Sequence, residues 1–210
     1  MIGGLDPLFF LSYAHSGQDA PTTHELQVAK FFKDLTEFVA QMVDRVPGQQ
    51  MGFIDRSIPH GSRWTDDLLD ALGTCQTFVA LLSRPYTSAD WCGKEWHAFS
   101  QRTVLAKKAG GNPTAFFPVL WAPIATDECP PAIQKVQRFS PAGFSGLGLE
   151  RRYNELGLLG VMETMGRRNT YKAIVWSLAK SIADFSYDHE VEPRVFHEED
   201  LRNVFEEGAL

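Results

Sequence analysis

No stretch of the 210 residues approaches the roughly 20 consecutive apolar positions that a membrane-spanning helix needs, so no membrane partner is expected. The opening residues, MIGGLDPLFFLSY, lack the basic region and small-residue cleavage site of a secretory signal, and a cytoplasmic location is the expectation. Basic charge is not in excess either. Lysine and arginine total 20 against 26 acidic residues, for a formal net charge of −6 and a pI near 5.5. That balance argues against a protein held by nucleic-acid phosphates. Cysteine is scarce. Cys75, Cys92 and Cys129 are odd in number, far apart and without a CxxC pair, which fits reduced thiols rather than a disulfide framework or a zinc site. His15, His60 and His97 show no HExxH spacing, and no metal is expected. Nucleotide signatures are missing as well. There is no GxxxxGK[ST] loop, Gly143-Phe144-Ser145-Gly146 lacks the spacing of a nucleophile elbow, and Gly146-Leu147-Gly148 is an incomplete dinucleotide fingerprint.

What is present reads as one globular domain with an appendage. Hydrophobic residues make up 44% and charged residues 22%, ordinary values for a chain that buries a core. Apolar runs at 7–13, 51–55, 78–82 and 115–121 predict strands. Between them, helical spacing appears over 25–46, with Leu26, Ala29, Phe32, Leu35, Phe38, Val39, Met42, Val43 and Val46 on the apolar face, and over 64–75. A helix is expected to run from about 90 through Val104 and Leu105 to the Gly110-Gly111 break, with a glycine-broken helix at 151–165 and a clearer one at 171–185. Strand alternating with helix predicts an α/β fold of flavodoxin-like wiring: three layers, a central, mainly parallel sheet of four to five strands, and helices on both faces. The domain is expected to span 1–186. Residues 187–210 form a strongly acidic C-terminal extension whose regular apolar residues leave two readings open, a short docking helix over about 198–207 or disorder.

The rest of the chain is organised around residues 81–96, LLSRPYTSADWCGKEW. The continuous apolar run 78–82 suits a strand buried on both faces, and Pro85 is incompatible with its continuing. Ser88 or Asp90 can cap the helix that follows, and Trp91 and Glu95 lie four apart on one face of its first turns. An aromatic ring and a carboxylate thus meet at the carboxyl end of a strand, where open α/β sheets bind ligands.

In this order, Phe10-Leu11-Ser12-Tyr13, Asp55-Arg56 with Ile58-Pro59-His60-Gly61, Phe78 to Ser83, and Tyr86 with Ser88 and Trp91-Cys92-Gly93-Lys94-Glu95 resemble a Toll/interleukin receptor homology (TIR) domain of bacterial type. Each motif is short, and the four in order on the right elements carry the resemblance, which covers about residues 7–184. It implies that residues 10–13 are the family's box 1 and that 56–64 form its BB loop, with Arg56, Ile58, Pro59, Gly61 and Trp64 serving self-association. Many members cleave NAD, so the resemblance implies NAD as a substrate, with no cofactor expected. The resemblance places the key acid at Glu95 and a substrate-contacting aromatic at Trp91, with Ser12, Tyr13 and Ser83 lining the same pocket. It also suggests an upstream sensor as partner and a role in antiphage defence or immune-like signalling. Departures from the family pattern are His60 between the proline and glycine of the BB loop, only Val175-Trp176 as a late aromatic-tryptophan counterpart, and a long Pro- and Gly-rich stretch at 122–148.

The chemistry makes a single carboxylate sufficient. Nicotinamide leaves a cationic pyridinium as a neutral molecule, so no second carboxyl group is needed to protonate a leaving oxygen. A buried carboxylate can then stabilise the oxocarbenium-like ribosyl centre. Plainer readings stand beside these roles. Glu95 can be a solvated residue near a helix start, Trp91 an anchor of helix to sheet, Ser12 and Tyr13 packing residues of the first loop, Ser83 a partner for backbone groups, and Asp55 with Arg56 a structural pair. At the level of function, the alternatives are a non-enzymatic TIR scaffold and a nucleoside or nucleotide-sugar hydrolase of related fold.

Overall fold

The computed structural model describes residues 6–15, 22–44, 48–54, 66–107, 114–141, 148–164 and 168–206. In chain order the elements are β1 (Phe9–Ser12), α1 (Thr23–Val39), β2 (Gly52–Ile54), α2 (Asp66–Thr74), β3 (Thr77–Leu82), α3 (Arg84–Ser88), α4 (Asp90–Ser100), β4 (Val104–Ala106), β5 (Phe116–Leu120), α5 (Pro131–Gln134), α6 (Leu149–Thr164), α7 (Arg168–Asp188) and β6 (His189–Val191). The main sheet has the order β2-β1-β3-β5 with every pair parallel, and helices cover it in a flavodoxin-like α/β arrangement. Among the described residues no helix is long and apolar enough to cross a membrane.

The pleat sorts the core residues. Successive side chains of a strand point to opposite faces, so Phe10 and Phe78 stack across β1 and β3 at 5.6 Å on the side where Phe78 also meets Phe99 and Trp96 of α4. Phe9 turns the other way to Phe32 of α1, and Phe117 of β5 to Phe185 of α7. α1 begins with a capping box in which Thr22 and Glu25 satisfy each other's backbone N–H groups. It ends at Val39, earlier than its periodicity suggested, and buries Val28, Phe31, Leu35 and Val39, leaving Leu26 exposed. The apolar face is thus rotated from the expected one.

α6 is broken at Gly157, whose φ of 66° is open to glycine at little cost. A Cβ there would lie 2.6 Å from the carbonyl oxygen of Trp121, the same oxygen that accepts a hydrogen bond from Leu159 N–H at 2.9 Å.

Two expectations for the second half are corrected. The helix carrying Glu95 stops at Ser100, and Val104 and Leu105, expected as its continuation, form the edge strand β4. Its antiparallel partner is β6, so the chain end supplies a strand that no local signal announced. The C-terminal extension, expected as a docking helix or disorder, is neither in the described residues. Residues 187 and 188 close α7, β6 follows, and the chain then crosses α2 and α4 as an extended strap with a single 3-10 turn at Glu198–Asp200. Arg194 N–H donates to Gly73 O at 2.9 Å, and Phe196, Leu201 and Phe205 are buried. Burying each such side chain stabilises by about 2 kcal/mol, which is what holds so polar a segment down.

Candidate active site

The order β2-β1-β3 reverses direction between β1 and β3, and in such sheets the crevice beyond the strand ends at that point binds ligands. Ser12 is the last residue of β1, and Ser83 follows β3 directly. Ser83 caps α3, its hydroxyl accepting from Tyr86 N–H at 3.3 Å, and Pro85 stands at the start of this helix, where its missing N–H costs nothing. Residues 84–88 therefore form a short helix between β3 and α4. Ala89 then turns the chain in extended conformation into α4, with no side-chain cap on that helix from Ser88 or Asp90. Lys94 pairs with Asp90 at 2.8 Å across the first turn.

Glu95 faces the sheet. Its side chain is 3% exposed, which rules out the solvated-helix reading. Ser12 Oγ–H donates a very short hydrogen bond to Glu95 Oε2. The Tyr86 hydroxyl lies 3.0 Å from Ser12 Oγ. Because Ser12 has one proton and gives it to the carboxylate, Tyr86 is the donor to Ser12. The result is an ordered chain, Tyr86 to Ser12 to Glu95, across three elements far apart in sequence.

Electrostatics keep the neighbours of this chain neutral. Burial, and then the nearby Cys92 and Glu95, push the Tyr86 hydroxyl well above the usual phenol range, so it remains a donor. Burial and the Glu95 carboxylate likewise push the Cys92 thiol well up, so it is a packing group here and not a thiolate nucleophile. Glu95 is the carboxylate at the end of this buried chain.

The structure brings Ser12 and Glu95 together and places Ser83 one turn away as the cap of the helix bearing Tyr86. Trp91 is half-buried and packs against the core from the first turn of α4. Tyr13 takes the opposite direction from Ser12. Its ring lies 4.2 Å from His15 and 6.3 Å from His24 of α1, and His24 stands edge-on to Trp121 at 6.1 Å. The same alternation that turns Ser12 toward Glu95 turns Tyr13 toward α1. The BB-loop residues Arg56, Ile58, Pro59, Gly61 and Trp64, with Asp55 and His60, lie outside the described residues. Two residues at the site had no role assigned to them from sequence, Tyr86 and Cys92. The helical spacing puts Cys92 three before Glu95, which is a legible signal. For Tyr86 no spacing signals the contact with β1. Among the described residues no cluster of metal-ligating side chains forms.

The fold and the position of Glu95 define an α/β protein with a buried carboxylate at the switch point of its parallel sheet. The TIR domain family model matches residues 9–152, more than half of the chain, and the chain belongs to that family. No curated protein matches the chain significantly.

Proposed function

We propose that this TIR domain is an NAD glycohydrolase with Glu95 as its catalytic carboxylate. The observation that carries the reading is the buried Glu95, held by Ser12 at the β1/β3 switch point of a TIR fold. In the proposed reaction the bond between nicotinamide nitrogen and ribose C1′ breaks, and its electron pair stays on the ring nitrogen, which leaves as neutral nicotinamide. Glu95 stabilises the developing positive charge on the ribose in a site of low dielectric, where such stabilisation is strongest. A water oxygen bonds to C1′ and releases a proton, giving ADP-ribose. Attack by an adenine nitrogen of the same molecule gives a cyclic ADP-ribose instead. Trp91, one helical turn before Glu95, would stack on a heteroaromatic ring of the substrate, worth about 1 kcal/mol beyond its buried area.

Glu95 is covered in the isolated chain, and that supports activation by self-assembly through the BB loop, which would open or complete the crevice with a neighbour's surface. A cytoplasmic role in antiphage defence or immune-like signalling, under an upstream sensor, fits such a switch. The test is incubation of the purified protein with NAD under crowded, assembly-promoting conditions, with Glu95→Ala and Glu95→Gln as controls. Nicotinamide release that both substitutions remove is expected. No release in any assembled state, or full activity in both variants, would leave the non-enzymatic scaffold as the better reading.

A further inference from the structure

Residues 192–206 lie beyond the stretch matched by the family, yet they pack on the helix that carries Glu95. α4 is buried on both sides. Its inner face presents Glu95, Cys92 and Phe99 to the sheet, while Gly93, nearly opposite Glu95 around the helix, faces the strap. The Asn203 side chain occupies the notch left by Gly93, and a Cβ at position 93 would collide with Asn203 Oδ1. That same oxygen accepts a hydrogen bond from Phe205 N–H at 3.0 Å, closing a tight turn. The turn sets the Phe205 ring 5.8 Å from Tyr86 and 6.1 Å from Trp96. Arg202 Nε–H donates to His97 Nε2 at 3.2 Å one helical turn along α4.

We propose that the Asn203–Phe205 turn is a positioning element for the active site, holding Tyr86 against Ser12 and, through Ser12, fixing the Glu95 carboxylate. This rests on Glu95 being the catalytic carboxylate. The physical ground is that α3 has only five residues and one side-chain cap, too little to fix the Tyr86 ring alone. Its outer contact is Phe205. With the turn seated, the Tyr86 hydroxyl has one place to go, 3.0 Å from Ser12. With it displaced, Tyr86 gains rotational freedom, Ser12 loses its donor, and the contact by which Ser12 orients the carboxylate slackens. A misplacement of that size costs turnover more than binding.

The experiment uses the full chain and the variants Gly93→Ala, Phe205→Ala and Phe205→Leu. Alanine is the better helix former, so Gly93→Ala strengthens α4 itself and acts only by unseating Asn203. Gly93→Ala and Phe205→Ala are each expected to lower kcat for NAD about tenfold, the equivalent of one lost hydrogen bond, with KM within about twofold. Phe205→Leu restores most of the rate. The double variant falls no further than the worse single one, because both changes unseat one turn. Unchanged kcat in both singles, or losses that multiply in the double, overturns the proposal. Should the wild type release no nicotinamide, labelling of the native protein with iodoacetamide, read cysteine by cysteine by mass spectrometry, decides independently. Faster labelling of Cys92 in both alanine variants, with Cys75 and Cys129 unchanged, supports the positioning role. An unchanged Cys92, or all three rising together, sinks it.

Discussion

Among the described residues one acid and one arginine are buried, Glu95 and Arg102, and they are held in different ways. Arg102, just past α4, donates to four main-chain carbonyls: Leu72 and Cys75 through Nη1, Glu192 through Nε at 3.1 Å and Val191 through Nη2 at 3.2 Å. Its charge serves backbone dipoles where the C-terminal strand crosses the end of α2, and burial lowers its pKa against the opposing pull of Cys75 and then Asp6. Beside it, burial pushes the Cys75 thiol up to about 12. Glu95 is held by side chains instead, by Ser12 and through it Tyr86. A guanidinium saturated by main chain is a structural pin, fixed wherever the backbone is fixed. A carboxylate held by hydroxyls keeps its position only while those hydroxyls keep theirs, which is what a site that must meet a ligand requires.

The comparison breaks most visibly at Glu95. Glu95→Gln keeps the size and an acceptor for Ser12 while removing the charge, so nicotinamide release is expected to fall about a thousandfold with the melting temperature nearly unchanged. A large drop in melting temperature would make Glu95 a structural charge like Arg102. Arg102→Met tests the other side. It leaves four buried carbonyls without their donor and is expected to destabilise the fold by about 3 kcal/mol in denaturant unfolding. The β6 strand should lose amide protection first. Activity should follow the folded fraction, so a loss of turnover in fully folded protein would show that Arg102 reaches the site.

How far these two charges could be read from sequence differs for the same reason. Glu95 was legible because Trp91 and Glu95 sit on one helical face after a buried strand, a local pattern. The parallel sheet was legible too, since its strands are continuous apolar runs separated by periodic helices. Arg102 was not, because its partners come from α2 and from the last strand, and nothing near position 102 announces them. The edge strand at Val104–Ala106 is hidden in the sequence on similar grounds. Its apolar pair fits either period, and the partner that decides, His189–Val191, lies at the other end of the chain. α3 is a different miss. Ser83 with Pro85 two residues on is a local cap signature, and Pro85 both ends the strand and opens a helix.

Ser12 should give a smaller effect than either charge. Ser12→Ala removes the one proton given to Glu95 and the acceptor for Tyr86, and about a tenfold loss in kcat with about 1 kcal/mol of stability is expected. An effect on KM alone would place Ser12 in binding and not in orienting the carboxylate.

The smallest expected effect concerns the other side of β1, where Tyr13 points to His24. Burial lowers the pKa of His24 against the opposing pull of Glu25, and its ring lies edge-on to Trp121. Above the ordinary histidine value, near 6.5, the imidazole is neutral in both folded and unfolded chains and contributes nothing to the pH dependence. As pH falls through 6.5 the unfolded chain takes up the proton first, while the folded chain resists. Stability is therefore lost between 6.5 and the lower folded value, and the loss levels off below it. Half-exposed as it is, His24 should account for a few tenths of a kcal/mol. Urea unfolding of wild type and His24→Gln at pH 7 and pH 5 isolates this part, since other groups titrate alike in both. The variant should lose less stability on acidification. An equal loss would mean that His24 takes its proton as easily in the fold as out of it, and that the Tyr13 side of the strand is as open to water as the Glu95 side is closed.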